Sequence, residues 1–225
     1  MSDEQFDGVE ITIGTEPGHS IIWLHGLGAD GNDFVPVVSE LEALGLSNCR
    51  FVFPNAPTRP VTINAGMQMR AWYDITSLDF NQREEDASGI NASASLLDAL
   101  INRESEKGIN PADIVIAGFS QGGAIALHTA IRHPKKLAGV MALSTYLPLA
   151  ATVAEEKHLA NQQTSIFFAH GVQDDVIAIQ YAQSSKELLE KQGHPVQWHT
   201  YQMSHTLSID EIKDIAIWLK NVLGQ

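Results

Sequence analysis

The stretch VIAGFSQGGAIALH, Val115–His128, places a serine between two glycines where an apolar strand pattern changes into a helical one. Gly118 and Gly122 stand two residues on either side of Ser120. Glycine tolerates backbone angles and close approaches that a Cβ atom forbids, so this spacing indicates a turn too tight for ordinary residues. The stretch therefore predicts a strand–turn–helix unit that holds the Ser120 hydroxyl out at the top of a sheet.

Short β-rich runs alternate with longer helical patterns along the chain, which is typical of an α/β fold. The middle runs are almost entirely apolar, as expected for parallel strands that are covered on both faces. No repeat, low-complexity segment or linker divides the chain, so we expect one domain over residues 1–225, with a mostly parallel twisted sheet and helices on both faces. The predicted strands are residues 20–25, 50–54, 113–118, 137–144, 165–171 and 196–201, with 9–14 as an antiparallel edge strand; the predicted helices are residues 34–44, 84–107, 178–192 and 209–223 and one after Ser120.

Two helix starts carry the spacing of a capping box, Asn81 with Glu84 and Ser208 with Glu211. Two stretches, 55–82 and 145–164, show no clear element apart from a short helix that the second could hold. Long loops in compact α/β domains usually carry function, and ligands bind beyond the carboxyl ends of the strands.

Composition and charge exclude several classes of protein. The chain has 225 residues, 44% of them hydrophobic and 18% charged, as in soluble globular proteins. Its formal net charge of −13 argues against nucleic-acid binding and against strong docking on anionic membranes. The single cysteine, Cys49, allows no internal disulfide, and we expect it to be buried. The acidic start is no signal peptide and no apolar run reaches the roughly 18–20 residues of a membrane span, so we expect a cytoplasmic protein with at most weak peripheral membrane contact.

A serine hydroxyl becomes a nucleophile only with a base in hydrogen-bond reach and a group that orients the base. The pattern G-x-S-x-G on a strand-to-helix turn is typical of the nucleophile elbow of α/β-hydrolases, in which the acid and then the histidine follow the serine. Asp174 and Asp175 come directly after the predicted strand 165–171 and are both candidates for the acid, unless they only cap a solvated turn. Position along the chain eliminates most of the nine histidines and favours His205, in the loop before the last helix.

Acyl transfer also requires backbone N–H groups aimed at the developing oxyanion. The residue after the nucleophile, Gln121, normally supplies one donor, and a loop after an early strand supplies another. Residues 24–31, LHGLGADG, provide such a glycine-rich loop. Its GLGADG spacing also fits a dinucleotide-binding fingerprint, but no clear ribose-binding acid follows residues 50–54. We therefore expect neither a cofactor nor a metal.

Six motifs in order resemble the phospholipase/carboxylesterase family, which includes bacterial carboxylesterases and acyl-protein thioesterases: LHGLGAD, FPNAPTRPVT, MRAWYDI, GFSQGG, HGVQDDVI and MSH. The resemblance runs from about Ile21 to Leu223 and implies an α/β-hydrolase fold without a large cap domain. In this family the acid stands four residues after the histidine of an HG motif; counting from His170 selects Asp174 over Asp175.

The resemblance thus implies a catalytic triad of Ser120, Asp174 and His205, with the backbone N–H groups of Leu27 and Gln121 as oxyanion donors. It also raises Met69 and Trp72 as candidates for an acyl-binding groove, although from pattern alone they are ordinary core residues. Leu147 and Leu149 are the candidates for the opposite wall of this groove.

We therefore predict a serine hydrolase that cleaves carboxylic esters or thioesters through an acyl-enzyme intermediate. The expected substrate is a small-molecule or lipid-like acyl ester or thioester, with an acylated protein as a further option. Two alternatives stay open: a serine peptidase or amidase on the same fold, and a non-catalytic relative that binds a small apolar ligand. Monomer and homodimer are equally compatible with the sequence.

Overall fold

The computed structural model describes residues 6–77 and 84–225, and its central feature is a seven-stranded sheet. The strands in these ranges are β1 Gly8–Thr12, β2 His19–Leu24, β3 Cys49–Pro54, β4 Thr58–Val61, β5 Met67–Arg70, β6 Ile114–Phe119, β7 Gly139–Leu143, β8 Ser165–Gly171 and β9 Val196–Tyr201. The sheet has the order β1-β3-β2-β6-β7-β8-β9, while β4 and β5 form a separate antiparallel hairpin. β1 is antiparallel to β3, and every other neighbouring pair in the sheet is parallel.

Helices cover both faces of this sheet. They are α1 Val35–Ala43, α2 Ala87–Glu106, α3 Gln121–Arg132, the four-residue α4 Val153–Glu156, α5 Ile179–Lys191 and α6 Ile209–Leu223. Alternate residues of β6 show how the faces divide: Ile114 and Ile116 pack in the core with α2, α3 and α5, whereas Val115 and Ala117 pack in the core with α1 and α6. Burial on both faces explains why the middle strands consist almost wholly of apolar residues.

The structure confirms the predicted α/β-hydrolase fold, and the boundaries of most elements agree within one or two residues. The antiparallel edge strand predicted at residues 9–14 is β1. The capping box predicted at Ser208 and Glu211 is present, with Ser208 Oγ accepting from the Glu211 N–H at 3.1 Å. None of the helices in the described ranges combines the length and apolarity needed to cross a membrane.

The start of α2 differs from the prediction. The helix begins at Ala87, and the side chain of Asp86 caps it by accepting from the Gly89 N–H at 2.8 Å. Glu84 therefore precedes the helix instead of forming its first turn, and Asn81 lies outside the described residues.

The two stretches without a predicted element contain short pieces of structure. Residues 55–77 hold the β4–β5 hairpin, and residues 145–164 hold α4 with single 3₁₀ turns on either side. Each strand of the hairpin has only four residues, and β4 contains Pro60, which disfavours a strand prediction. The hairpin matters because Ile63 and Asn64, in the segment that connects its two strands, line the cavity beside Ser120.

Candidate active site

Ser120 occupies a strained turn between β6 and α3. Its backbone angles are φ 53° and ψ −119°, a conformation that non-glycine residues rarely adopt. A Cβ atom on Gly118 would lie 2.2 Å from the carbonyl carbon of Gly122, and one on Gly122 would lie 2.5 Å from the carbonyl oxygen of Leu24. The two glycines are thus required because α3 starts almost in contact with β6 and with the end of β2.

The turn is held by hydrogen bonds to its backbone. The Ser120 N–H donates to the carbonyl oxygen of Leu143 at 2.9 Å, and its own carbonyl accepts from Thr145 Oγ1 at 2.6 Å. These contacts offset the strain and leave the side-chain hydroxyl free, since it makes no hydrogen bond within the described part of the chain.

Asp174 lies just beyond the carboxyl end of β8, and its carboxylate is fully engaged. Oδ1 accepts from the backbone N–H groups of Val176 at 3.0 Å and Ile177 at 2.8 Å, and Oδ2 lies 2.7 Å from His205 Nδ1. Burial acts to raise the pKa of Asp174, but the hydrogen bonds from His205 and these backbone groups outweigh it and hold the pKa below its ordinary value. Asp175, the alternative acid, is exposed.

His205 lies in the loop between β9 and α6, with its side chain 15% exposed. Its ring packs on Phe119 at 4.7 Å between centroids, and Phe119 directly precedes Ser120. Because Nδ1 faces the Asp174 carboxylate, it carries the proton of the neutral ring, and Nε2 keeps the lone pair that a base needs. Asp174 therefore contacts His205 directly, and His205 lies next to the serine turn. In the described part of the chain, His205 makes no hydrogen bond to the Ser120 hydroxyl.

The two predicted oxyanion donors border one cavity with Ser120. Gln121 is the first residue of α3, where backbone N–H groups lack an intrahelical acceptor and carry the positive end of the helix dipole. The N–H groups of Gly28 and Ala29 donate to Arg70 and Gly26, whereas that of Leu27 has no backbone acceptor in the described chain. Both donors are thus available to a ligand.

The cavity beside Ser120 has a volume of about 250 Å³ and is mostly apolar. The hydroxyls of Tyr73 and Tyr146 meet at 2.5 Å in its wall. Its lining residues are Leu27, Ile63, Asn64, Tyr73, Ile75, Ser120, Gln121, Tyr146, Val176 and Ile177. This is the size and character of a site for a small apolar group next to a few polar atoms.

Three residues predicted for an acyl groove are not part of this lining. Trp72 is 1% exposed and donates from its indole Nε1 to the carbonyl of His25 at 2.8 Å. Leu147 is buried in the core, and Met69 Sδ accepts from Asn64 Nδ2 at 3.3 Å. None of the three borders the cavity, and their direct contact with an acyl chain stays a prediction.

The sequence interpretation missed most of the cavity wall. Val176 and Ile177 could have been identified from the sequence, because they follow the candidate acid just beyond the end of a predicted strand. Ile63, Ile75 and Tyr146 lie in the stretches without periodicity, so only the folded chain brings them together.

Gln121 also supports the wall through its side chain. Its Oε1 accepts from the Trp72 N–H at 2.8 Å, and its Nε2 donates to the Tyr73 carbonyl at 2.7 Å. The residue after the serine therefore ties the start of α3 to the cavity wall.

Among the described residues, no group of three or more His, Cys, Asp or Glu side chains is arranged to hold a metal ion.

Comparisons with known proteins agree with one another. The sequence model of the phospholipase/carboxylesterase family matches residues 9–223. Acyl-protein thioesterase 1 of Yarrowia lipolytica is 38% identical over 205 residues, which cover 89% of this chain and 90% of that protein. Carboxylesterase SOBER1 of Arabidopsis thaliana is 33% identical over 90% of each chain.

Solved structures show the same likeness. The crystal structure of Arabidopsis thaliana SOBER1 matches with a TM-score of 0.86 and 31% identity, covering 91% of this chain and 99% of that one. The crystal structure of Zea mays acyl-protein thioesterase 2 matches with a TM-score of 0.82 and 28% identity, covering 96% and 98%.

Proposed function

The chain belongs to the phospholipase/carboxylesterase family and is a serine ester hydrolase, and from this premise we propose that Ser120, His205 and Asp174 carry out the reaction. The observation that carries the proposal is the 2.7 Å hydrogen bond between Asp174 and His205, whose ring packs against the residue before the strained serine.

In the proposed mechanism, His205 Nε2 takes the proton from the Ser120 hydroxyl as Oγ attacks the acyl carbonyl carbon. The carbonyl π electrons move to the oxygen and form a tetrahedral oxyanion. The intermediate collapses, the bond to the leaving oxygen or sulfur breaks, and His205 returns the proton to that atom. Asp174 holds the ring in the required tautomer and stabilises the imidazolium while it exists.

Water completes the cycle by the same steps. His205 removes a proton from water, the hydroxide adds to the acyl-enzyme carbonyl, and collapse releases the carboxylic acid and restores Ser120. The N–H groups of Leu27 and Gln121 stabilise both oxyanions, and one such donor is worth about 3–4 kcal/mol in known cases. Apo enzymes often hold the serine and the base too far apart for a hydrogen bond and tighten the contact when substrate binds.

The apolar cavity beside Ser120 supports a hydrocarbon acyl group as the part of the substrate that forms the acyl-enzyme. Its walls offer Ile63, Ile75 and Ile177 to the chain, while few polar atoms face inward. The thioesterase relatives support extending the substrate class from simple esters to thioesters and to acylated proteins.

The proposal is tested by capture and turnover together. A fluorophosphonate should label Ser120, as read by mass spectrometry of the labelled peptide, and kcat/KM should be measured on p-nitrophenyl esters from acetate to palmitate. Ser120→Ala should lose labelling and several orders of magnitude of kcat, whereas Ser39→Ala, an exposed serine of α1, should lose neither. Near-normal turnover by Ser120→Ala would contradict the proposal, and hydrolysis of peptide amides in preference to esters would indicate a peptidase.

A further inference from the structure

Ser120 and His205 border different cavities. The apolar cavity beside Ser120 does not include His205 in its wall. His205 instead borders a second cavity of about 390 Å³, whose wall also includes Phe119. Its lining is Asp33, Phe34, Val37, Phe119, His205, Thr206, Leu207 and Ile212.

The chemistry assigns the second cavity to the leaving group. In the proposed mechanism His205 gives its proton to the oxygen or sulfur that departs, so that atom must lie against the imidazole. The acyl chain occupies the cavity at Ser120, and the remainder of the substrate extends into the space that His205 borders.

That space continues along the surface between α1 and α6. A third cavity, also of about 390 Å³, lies next to the second, since Val37 and Ile212 line both. Its lining is Pro36, Val37, Glu40, Ala43, Leu44, Ile209, Ile212 and Lys213. We call the two together the α1–α6 groove, defined by the residues of these two linings. Each part is within the range of about 300–1,000 Å³ typical of ligand sites, far more than a small alcohol or thiol needs.

The outer part of the groove is apolar and exposed. Ile209, the first residue of α6, is 74% exposed, and Leu44, directly after the end of α1, is 36% exposed, although both are large apolar side chains. Exposed apolar residues that line a groove mark a binding surface more often than scattered ones do.

The charges along the groove are mainly acidic. The exposed carboxylates of Asp33 and Glu40 form no ion pair in the described part of the chain. Lys213, the basic residue in the lining, is paired with Asp210 at 2.9 Å. These carboxylates attract basic groups and repel phosphate.

We propose that the α1–α6 groove holds the polypeptide leaving group of an acylated protein, with apolar and basic residues next to the acylated position. The proposal rests on the proposed function, because it needs Ser120 and His205 to divide the substrate into its two parts. The apolar lining takes side chains of the polypeptide, and Glu40 and Asp33 pair with its lysines or arginines.

The test compares three thioesters with one acyl chain: a cysteine peptide flanked by lysines, the same peptide flanked by glutamates, and the small thioester of N-acetylcysteamine. Glu40→Lys should lower kcat/KM for the lysine peptide by about threefold or more at low ionic strength, and the effect should fade in high salt. Ile209→Ala should lower kcat/KM for both peptides. Neither variant should change turnover of the small thioester, which does not reach the outer groove.

The chain offers matched controls outside the groove. Glu42 is a second exposed acid of α1, and Ile217, 56% exposed, is a second exposed apolar residue of α6. Glu42→Lys and Ile217→Ala should leave kcat/KM for all three substrates unchanged.

Three results would overturn the proposal. The first is equal behaviour of Glu40→Lys and Glu42→Lys on the lysine peptide. The second is an equal loss on the small thioester, which would place the effect in the chemistry. The third, with a lysophospholipid assayed as a fourth substrate, is a loss confined to that lipid, which would identify a lipid headgroup as the occupant. Failure of the proposed function would look different, because the parent enzyme would then leave the small thioester uncleaved.

Discussion

The Nδ1 nitrogen of His205 lies 2.7 Å from Oδ2 of Asp174, and the same carboxylate holds part of the cavity wall through its other oxygen. That oxygen, Oδ1, accepts from the N–H groups of Val176 and Ile177, whose side chains line the cavity beside Ser120. His170 completes the arrangement by donating from Nε2 to the Ile177 carbonyl at 2.8 Å. One carboxylate thus orients the candidate base and shapes the cavity beside Ser120.

Replacing Asp174 with asparagine should abolish most of the activity. The side chain keeps its size, but the amide lacks the negative charge and presents a donor where His205 or the backbone N–H groups need an acceptor. We expect kcat on p-nitrophenyl octanoate to fall by roughly three to four orders of magnitude, because the histidine loses its tautomer and the imidazolium its counter-charge. Asp175→Asn, at the exposed neighbouring position, is the control and should retain kcat; a larger loss in this control would make Asp175 the acid.

Replacing Gln121 with alanine should destabilise the fold as well as the site. The Trp72 N–H and the Tyr73 carbonyl would lose their partners in a buried setting. Leaving such groups unsatisfied costs about 1–3 kcal/mol each, so we expect a drop of this order in the free energy of unfolding measured with urea. Gln180→Ala, on the exposed side of α5, is the matched control. Equal stability of both variants would show that the Gln121 amide does not hold the cavity wall.

Replacing Ile75 with tryptophan should shorten the preferred acyl chain. Ile75 borders the cavity of about 250 Å³ beside Ser120, so a larger side chain leaves less room for carbon atoms beyond the carbonyl. The kcat/KM profile over p-nitrophenyl esters should shift toward acetate and butyrate, with little change on acetate itself. Ile217→Trp on α6 controls for the added ring. An unchanged profile in Ile75→Trp would mean that the acyl chain lies elsewhere.

The main sheet and the serine turn follow from strong local signals. Apolar runs predict β6, β7 and β8 because both faces of these strands are buried, and the spacing of Gly118 and Gly122 predicts the tight turn because backbone contacts exclude any Cβ there. The capping box at Ser208 is equally local. Such signals are readable because one or two short stretches of chain determine them.

The cavity wall and the hairpin depend on tertiary packing. Ile63, Ile75 and Tyr146 meet across segments without periodicity. Trp72 is buried, as its pattern predicts, but only the folded chain supplies its hydrogen bonds to His25 and Gln121. The pairing of Asp174 with His205 is only partly readable from the sequence. The residue types and their order predict the pair, but only the fold brings the two side chains to 2.7 Å. Their catalytic roles stay predictions until the variants are measured.

Glu211 should make the protein less stable as the pH rises. Burial at the start of α6 raises the pKa of this carboxyl from its ordinary value of 4.5 to about 8. The hydrogen bond from the Ser208 backbone N–H lowers the pKa, and the nearby Asp214 carboxylate raises it slightly further. Between these pH values the unfolded chain releases a proton that the folded chain keeps, so the contribution of Glu211 to stability is present at low pH and is lost as the pH rises through about 8.

Glu211→Gln removes this titration and keeps a residue suited to the third position of a capping box. The difference in the free energy of unfolding between the variant and the parent should increase by about 1–3 kcal/mol from about pH 5 to about pH 9, in favour of the variant. Urea unfolding at both pH values measures this difference. Asp210→Asn, an exposed acid in the same first turn, should show no such pH-dependent gain. A constant difference between Glu211→Gln and the parent over this range would show that Glu211 ionises at its ordinary pH in the folded protein.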